Sequence, residues 1–491
     1  MPSQTHFSRW PRRWPLWVAA GLILRLVFIY FPRPIDPDTW DYLQLGHNFL
    51  HQGIYGVGDG NDIAPTLFRL PGYPIFLGVF ELLFARIWPN TWFTTVFLAQ
   101  SGAAIGAGLL LAAFARQHLS GRAAEVALAL AMLCPFTAVY DATALTESFS
   151  FSLVALGIYA AGRALAAQAA GRHDLWALIL AGCAAGLAML LRPDGAVLLA
   201  DLAGGIFFYS LRRSRAAQSA QAALRSAFSS AFIVCLVALL PLVPWTLRNF
   251  AQFHVFQPLA PRYFNDPGSR VNLGFYRWVR SWSIEFVTTA NVVWNAGEGP
   301  LDPADLPPRA FDSPRQREET LRLIADYNLH DDITAALDDR FGAIADERVR
   351  ARPFRYYVTL PVLRVADMLL RPRTEDFYLD VFWWRWSVHP AQTIAAILLG
   401  LINLAYVAAA VWAFLARRVP WALMLGAYLV LRFALLGVIE HPEPRYTLEC
   451  FPIFIVAAAA ALTRSKPCAA SAFSPSLPIQ PQFPVRQSSS G

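Results

Sequence analysis

Apolar residues in this chain gather into long runs, and the runs set the frame for everything else. Those at 14–31, 92–115, 122–140, 143–166, 174–191, 194–211, 228–247, 391–416, 420–439 and 446–463 approach or reach the ~20 residues a helix needs to cross a bilayer core. They predict about ten transmembrane helices. One more apolar stretch, 71–88, opens on prolines and a glycine. Such a segment suits a re-entrant or juxtamembrane helix whose backbone is shielded by protein. The segment 248–390 is too long for a connector and predicts a small soluble subdomain. Within it, 313–350 reads as one or two polar helices starting at Ser313-Pro314. The arginine-interleaved apolar positions of 354–371 suit a helix lying in the membrane interface. Trp383, Trp384 and Trp386 then mark headgroup level.

The loop charges decide how the runs are threaded. Basic loops fall at Arg116/Arg122, Arg163/Arg172, Arg212/Arg213/Arg215/Arg225, Arg417/Arg418 and Arg464/Lys466. With the N-terminus inside, all of them are cytoplasmic only if 71–88 does not cross. Arg9, Arg12 and Arg13 ahead of Trp14 resemble the start of a signal peptide, but Pro32-Arg33-Pro34 offers no small-residue cleavage site. The first run therefore reads as an uncleaved transmembrane helix. The expected layout is a transmembrane module at 1–247 with an acidic first outer loop (32–70). An outer subdomain follows at 248–390, then C-terminal transmembrane helices at 391–463 and a disordered Pro/Ser/Gln-rich tail at 464–491.

Composition agrees with a multi-pass membrane protein: 56% hydrophobic and 15% charged residues. The net charge of +7 is carried by loop arginines that orient the protein, which removes the case for nucleic acid as a partner. Five scattered cysteines imply no disulfide framework. No Walker loop or dinucleotide fingerprint is present, which argues against a nucleotide-driven pump. His47, His51, His254, His330, His389 and His441 read as lacking metal-ligand spacing. No cofactor is required by the sequence, and a divalent metal stays open.

The threading brings the unusual polar clusters to one face. Asp36, Asp38 and Asp41 with Tyr42, then Arg69, Glu147, Arg192, Arg248, and Arg445 with Tyr446 all reach the outer side. Acidic groups at a membrane are costly and are functional candidates by default. Asp38 reads as the cap of a short surface helix and as a general base, and Asp36 or Asp41 could share or take over that role. Glu147, a few residues inside a helix, needs a wet cavity or an internal partner. Arg69, Arg192, Arg248 and Arg445 each suit snorkelling to water or binding an anion, and together their guanidinium forks suit phosphate. Carboxylates beside arginines, where no nucleotide sugar is available, suit group transfer from a lipid-linked phosphate donor.

The ordered motifs resemble those of the C-type, polyprenyl-phosphate-dependent glycosyltransferases. That superfamily includes the dolichyl-phosphate-mannose–protein mannosyltransferases and the bacterial transferase of aminoarabinose to lipid A. Asp38, Tyr42 and Gly53 match the acidic first loop. Arg69, Pro71, Gly72, Tyr73 and Pro74 match a basic-x-Pro-Gly-Tyr-Pro element. Glu147, Arg192-Pro193, Pro244-Trp245-x-x-Arg248-Asn249 and Arg445-Tyr446 follow in order, so the resemblance covers 14–463. It implies that Asp38 activates an acceptor hydroxyl with inversion at the sugar carbon. It further implies that Glu147 shapes the cavity and that Arg69 and the later arginines hold the lipid phosphate. The doubled entry Asp36-Pro37-Asp38 departs from the pattern and leaves the base less sharply fixed. The expected function is transfer of a sugar from a polyprenyl-phosphate carrier to a lipid, glycan or protein acceptor at the periplasmic face of the inner (plasma) membrane. The rivals are a flippase of lipid-linked sugars and a ligase or polymerase using a lipid-diphosphate donor.

Overall fold

The computed structural model describes residues 13–31, 35–217, 219–263, 265–330 and 332–463. Arg9 and Arg12 and the expected tail 464–491 lie outside the described residues. The first half runs α1 (Trp14–Tyr30), α2 (Pro37–Gln52), a two-stranded hairpin of β1 (Gly56–Val57) and β2 (Ala64–Pro65), and α3 (Gly72–Phe84). It continues with α4 (Trp92–His118), α5 (Gly121–Leu133), α6 (Pro135–Asp141), α7 (Glu147–Ala169), α8 (Leu175–Leu191), α9 (Ala196–Ala217), α10 (Ala220–Leu239) and α11 (Leu242–Phe253). The strands pair antiparallel, Gly56 opposite Pro65 and Val57 opposite Ala64.

Among the described residues, six helices are long and apolar enough to cross a membrane, or up to seven if the bent pair α5–α6 is one span. The bend is 52°. Its cause is local: Pro135 lacks an N–H and pushes Cys134 out of helical geometry, to φ −67° and ψ 111°. The ten expected spans are therefore not matched by ten full-length helices. α1, α3, α8 and the later Ala422–Gly437 are apolar but shorter than the rest. The expected span 228–247 is also redrawn. α10 begins at Ala220, where the Ser219 side chain accepts from the Ala222 amide, so Arg225 lies within the helix rather than in the loop. It ends before Pro241, and α11 starts afresh at Leu242.

α3 has 13 residues, about 20 Å at 1.5 Å per residue, which falls short of a ~30 Å core. It packs instead against α2, a polar helix. Gly46 and Gly78 permit the close crossing: a Cβ on Gly46 would lie 2.1 Å from the Pro74 carbonyl oxygen, and one on Gly78 would lie 2.8 Å from that of Gly46.

The polar segment forms a helical subdomain with its own core. It holds α12 (Leu273–Arg280), the short α13 (Phe286–Thr288), α14 (Pro314–Asn328) and α15 (Ala335–Ala351). Ser313 caps α14 and Thr334 caps α15, each accepting a backbone N–H three residues on, so the helix start read at Ser313-Pro314 holds. Phe275, Trp278, Trp282, Leu323, Tyr327 and Phe341 are buried together there, apart from the main bundle core. α16 (Leu360–Leu370) is preceded by a wide turn at Arg355–Thr359; Phe354 and Tyr357 ahead of it and Val362 and Leu363 on it are exposed. α17 (Pro390–Leu415) and α18 (Ala422–Gly437) return to the bundle. A 3-10 turn at Pro444–Cys450 then leads into α19 (Phe451–Leu462), whose residues Phe451 to Ala461 are all buried.

Candidate functional site

The site is built on the first turn of α2. Asp36, not Asp38, is the helix cap: its carboxylate accepts the Asp38 amide at 3.0 Å. That corrects the expected cap and leaves the Asp38 side chain free to point elsewhere. At the far end Gly53 closes the helix in the left-handed region at φ 72°, as the motif requires.

Asp38 is gripped from two sides. Its Oδ1 accepts from Arg69 Nη2 at 2.6 Å, and its Oδ2 accepts from Arg445 Nη2 at 3.1 Å. Arg69 also donates to Asp41 at 3.2 Å and lies over the Tyr42 ring at 5.1 Å. Arg445 reaches Glu443 at 2.5 Å, Asp36 at 3.7 Å and Glu147 at 3.8 Å. Glu147, at the first turn of α7, accepts from Arg192 Nη1 at 3.0 Å. Arg192 continues to Asp194 at 3.2 Å and Glu449 at 3.6 Å, with its guanidinium 5.0 Å from the Tyr446 ring. The Tyr446 hydroxyl donates to Glu443 at 2.7 Å. Arg432, fully buried, closes the far end on Asp194 and Glu449 at 2.6 and 3.1 Å. Carboxylates and guanidiniums thus alternate across six separate stretches of chain, 36–41, 69, 147, 192–194, 432 and 443–449.

The charges are tuned. Burial raises the Asp38 carboxyl, but Arg69 and Arg445 outweigh it and hold the group below the usual carboxylate range. Asp36 goes the other way: burial pushes it up to about 6, against the pull of Arg445 and with help from the Asp38 charge. Asp41 is raised by burial, only partly offset by Arg69. Asp38 is therefore ionised at neutral pH, while its neighbour Asp36 titrates close to it.

A cavity of about 540 Å³ runs past these groups. Asp38, Tyr42, Arg69, Glu147, Arg192, Arg445 and Tyr446 are among its lining. Leu191, Val197, Leu435, Leu436 and Ile439 make one wall apolar. Arg262 and Tyr263, from the segment leading into the helical subdomain, and Tyr276 of α12 meet Glu440 and His441 at another.

Not every expected residue reaches the cavity. Arg248 is spent on structure: it donates to the Tyr55 carbonyl at 2.6 Å and the Thr66 carbonyl at 2.8 Å, under the Trp245 ring. With Asp266, which accepts from Thr66 Oγ1 and the Leu67 amide, it holds the loop that delivers Arg69. Conversely, Asp194, Arg432, Glu443 and Glu449 complete the charge chain, although the sequence reading does not place them in the site. Arg432 and Glu449 fall inside apolar runs, and that intramembrane placement was the available signal.

A second group lies further along α2. His47 and His51, one turn apart, meet Glu81 of α3, with one ligand atom from each all within 4.8 Å of one another. His47 Nδ1 is 2.9 Å from Glu81 Oε1. Two imidazoles and a carboxylate form a donor set that could hold a divalent ion such as zinc. The reading that the histidines lack metal-ligand spacing missed this pair, because the third donor comes from a helix that only folding brings alongside. Asp41, Asp59, His47 and Glu81 line a pocket of about 340 Å³ there.

No family model and no curated protein matches this chain. Solved structures do. An oligosaccharyltransferase of Archaeoglobus fulgidus, tethered to an acceptor peptide containing the NVT sequon, aligns at TM-score 0.50 and 12% identity, covering 92% of this chain and 50% of that one. The same enzyme with zinc and sulfate aligns at TM-score 0.49 and 15% identity, covering 92% and 48%. ArnT of Cupriavidus metallidurans, bound to undecaprenyl phosphate, aligns at TM-score 0.39 and 15% identity, covering 91% and 77%. This chain spans about half the length of the oligosaccharyltransferase. The likeness at TM-score 0.50 speaks for the fold alone, and this chain's own helices make it an all-α, multi-pass membrane protein with a large helical subdomain.

Proposed function

We propose that this protein is an inverting membrane glycosyltransferase that moves a sugar from a polyprenyl-phosphate carrier to an acceptor hydroxyl at the outer membrane face. The observation that carries the reading is the double grip on Asp38 at the cavity wall: Arg69 at 2.6 Å and Arg445 at 3.1 Å. An ionised carboxylate beside two guanidiniums supplies both halves of such a transfer. Asp38 takes the proton of the acceptor hydroxyl as its oxygen bonds to the anomeric carbon. The bond from that carbon to the phosphate oxygen breaks, and Arg69, Arg192 and Arg445 share the charge gathering on the departing lipid phosphate. A single displacement of this kind inverts the anomeric centre. Glu147 orients Arg192 and Arg445, and Tyr446 packs under Arg192. The apolar wall of Leu191, Val197, Leu435, Leu436 and Ile439 is where the prenyl chain enters.

The same reading sets the topology. The six long helices, the bent α5–α6 pair and the shorter α1, α8 and α18 make ten crossings, with α3 lying along the outer surface. A cysteine placed at Asn90 would then be labelled from outside, and labelling only from the cytoplasm would overturn this threading.

The function is tested with the purified full chain in vesicles and a labelled polyprenyl-phosphate hexose, with mixed lipid, glycan and peptide acceptors. Release of free polyprenyl phosphate together with a glycosylated product is expected. Movement of intact donor across the bilayer would point to a flippase. Turnover only with a lipid-diphosphate glycan would point to a ligase or polymerase.

A further inference from the structure

The cavity has one wall that the transfer chemistry does not use. Tyr263 and Tyr276 stack nearly parallel there, with ring centroids 5.4 Å apart and planes 6° from each other. The His441 ring stands 6.0 Å from that of Tyr276. His441 Nε2 is buried without a hydrogen-bond partner, an arrangement that costs free energy unless a ligand or water completes it. Burial also lowers the His441 pKa, so the ring is neutral at pH 7 and can accept as well as donate. Beside it, Glu440 is pinned between Arg262 at 3.0 Å and Arg280 at 3.2 Å. All but Arg280 line the same cavity as Asp38.

This wall differs in kind from the other two. The guanidinium region recognises charge, and the aliphatic wall recognises hydrocarbon. Aromatic faces carry negative π density and attract the polarised C–H bonds of a flat ring. Phenol, imidazole and carboxylate groups around them supply directional hydrogen bonds. Recognition by stacking together with several hydrogen bonds to uncharged hydroxyls fits a pyranose ring and fits neither a prenyl chain nor a phosphate. Its position is also suitable, because His441 lies close enough to Arg445 for that charge to act on it, within the cavity that Asp38 lines.

We infer that Tyr263, Tyr276 and His441 form a pyranose-binding subsite, with Glu440 as its fixed acceptor. This rests on the proposed transfer reaction and adds to it the residues that choose the sugar. The subsite joins the loop before α12, α12 itself and the segment after α18, so sugar choice would vary with the helical subdomain while the charged centre stays constant. The ring held there belongs to the donor lipid or to a glycan acceptor.

The test measures binding to the full chain in nanodiscs of three probes: undecaprenyl phosphate, undecaprenyl-phosphate glucose and methyl α-D-glucopyranoside, with mannose and galactose analogues in parallel. At least one sugar-bearing lipid is expected to bind about tenfold more tightly than the bare lipid phosphate, the loss of one or two hydrogen bonds being worth roughly that factor. Tyr276→Ala is expected to erase this advantage and leave bare-lipid binding unchanged. Tyr276→Phe, which keeps the ring, is expected to retain most of it, which guards against a folding artefact. If Tyr276→Ala instead weakens only the free glycoside, the ring belongs to the acceptor and the subsite still stands. Equal binding of all probes by wild type and Tyr276→Ala would overturn the subsite. Failure of bare undecaprenyl phosphate to bind wild type would overturn the donor reading beneath it, so the two failures are distinguishable.

Discussion

Two arginine–carboxylate assemblies lie close together in this molecule and differ in what surrounds them. Arg25 of α1 donates to Asp141 at 2.7 Å, with side-chain exposures of 0% and 1%. The remaining Asp141 oxygen accepts from Ser148 at 2.5 Å, and Arg25 also donates to the Gly21 and Met132 carbonyls. Both partners are sealed from solvent, Asp141 with both oxygens bonded and Arg25 with Nε and Nη1 bonded and Nη2 left without a partner, so the pair joins α1, the α5–α6 bend and α7. Around Asp38, by contrast, each guanidinium serves several carboxylates, and side chains remain 14% to 28% exposed on a cavity. The chemical groups are the same. A closed pair fixes helices, whereas an over-shared, accessible set can exchange partners with a ligand. The accessible set is where catalysis is proposed, and the sealed set holds it in position: Gln100, which binds the Tyr140, Asp141 and Thr143 carbonyls, also accepts from Tyr73, whose ring packs on Tyr42.

Outside Asp38 itself, the largest expected effect comes from breaking the sealed pair. Arg25→Leu leaves Asp141 buried without its cation and is expected to cost about 3–5 kcal/mol of stability. Thermal unfolding in detergent measures it. Turnover per folded molecule should stay within a few-fold of wild type, and a large loss there would erase the distinction between the two assemblies. Next comes Arg445→Gln, which removes one grip on Asp38. Activity should fall roughly ten- to a hundredfold, the worth of a hydrogen bond to a charged group. The pH profile carries the sign. Asp38 must be ionised to act and is held low by Arg69 and Arg445, so losing Arg445 raises its pKa. The acid limb of kcat/KM should therefore move to higher pH. An unmoved limb would detach Asp38 from the titration.

These expectations could be framed because much of the molecule was legible in the sequence. Runs of apolar residues placed α4, α8 and α17 within a few residues, since a membrane span must be long and apolar whatever it packs against. Asp38, Glu147, Arg192 and Arg445 stood out because charge near a bilayer is costly. What sequence could not supply was the partner of each charge. Arg248 looked the same as Arg445, but its guanidinium meets backbone carbonyls 182 and 193 positions away in the chain. The choice between Asp36 and Asp38 as cap depended on where Pro37 begins the helix. Helix α10 was misplaced because Arg225 resembled a loop charge and Pro241 lay inside an otherwise continuous apolar run.

The two smaller effects probe the edges of the accessible set. Zinc should raise the unfolding midpoint of wild type, the linkage being worth about 2.7 kcal/mol at a hundredfold excess over its Kd. His47→Ala should abolish that rise. An unchanged midpoint in wild type would leave His47, His51 and Glu81 as a surface cluster only. Smallest is Asp36→Asn. The folded-state pKa of Asp36 is raised to about 6 from an ordinary 3.8. Its contribution to stability is therefore present below the ordinary value and is lost as pH rises through 6. Asparagine keeps the helix cap and carries no such penalty. The variant should gain on wild type at pH 7.5 and not at pH 3.5, and a gain independent of pH would contradict the assigned shift.

The central claim is that the accessible set performs a transfer for which Asp38 is the base. A single-turnover assay with a labelled polyprenyl-phosphate hexose tests it most directly, comparing wild type with Asp38→Asn at equal amounts of folded, membrane-inserted protein. The account predicts release of lipid phosphate by wild type, and a loss of about 10²–10⁴-fold in the variant with donor still bound. Equal release by both proteins would contradict it.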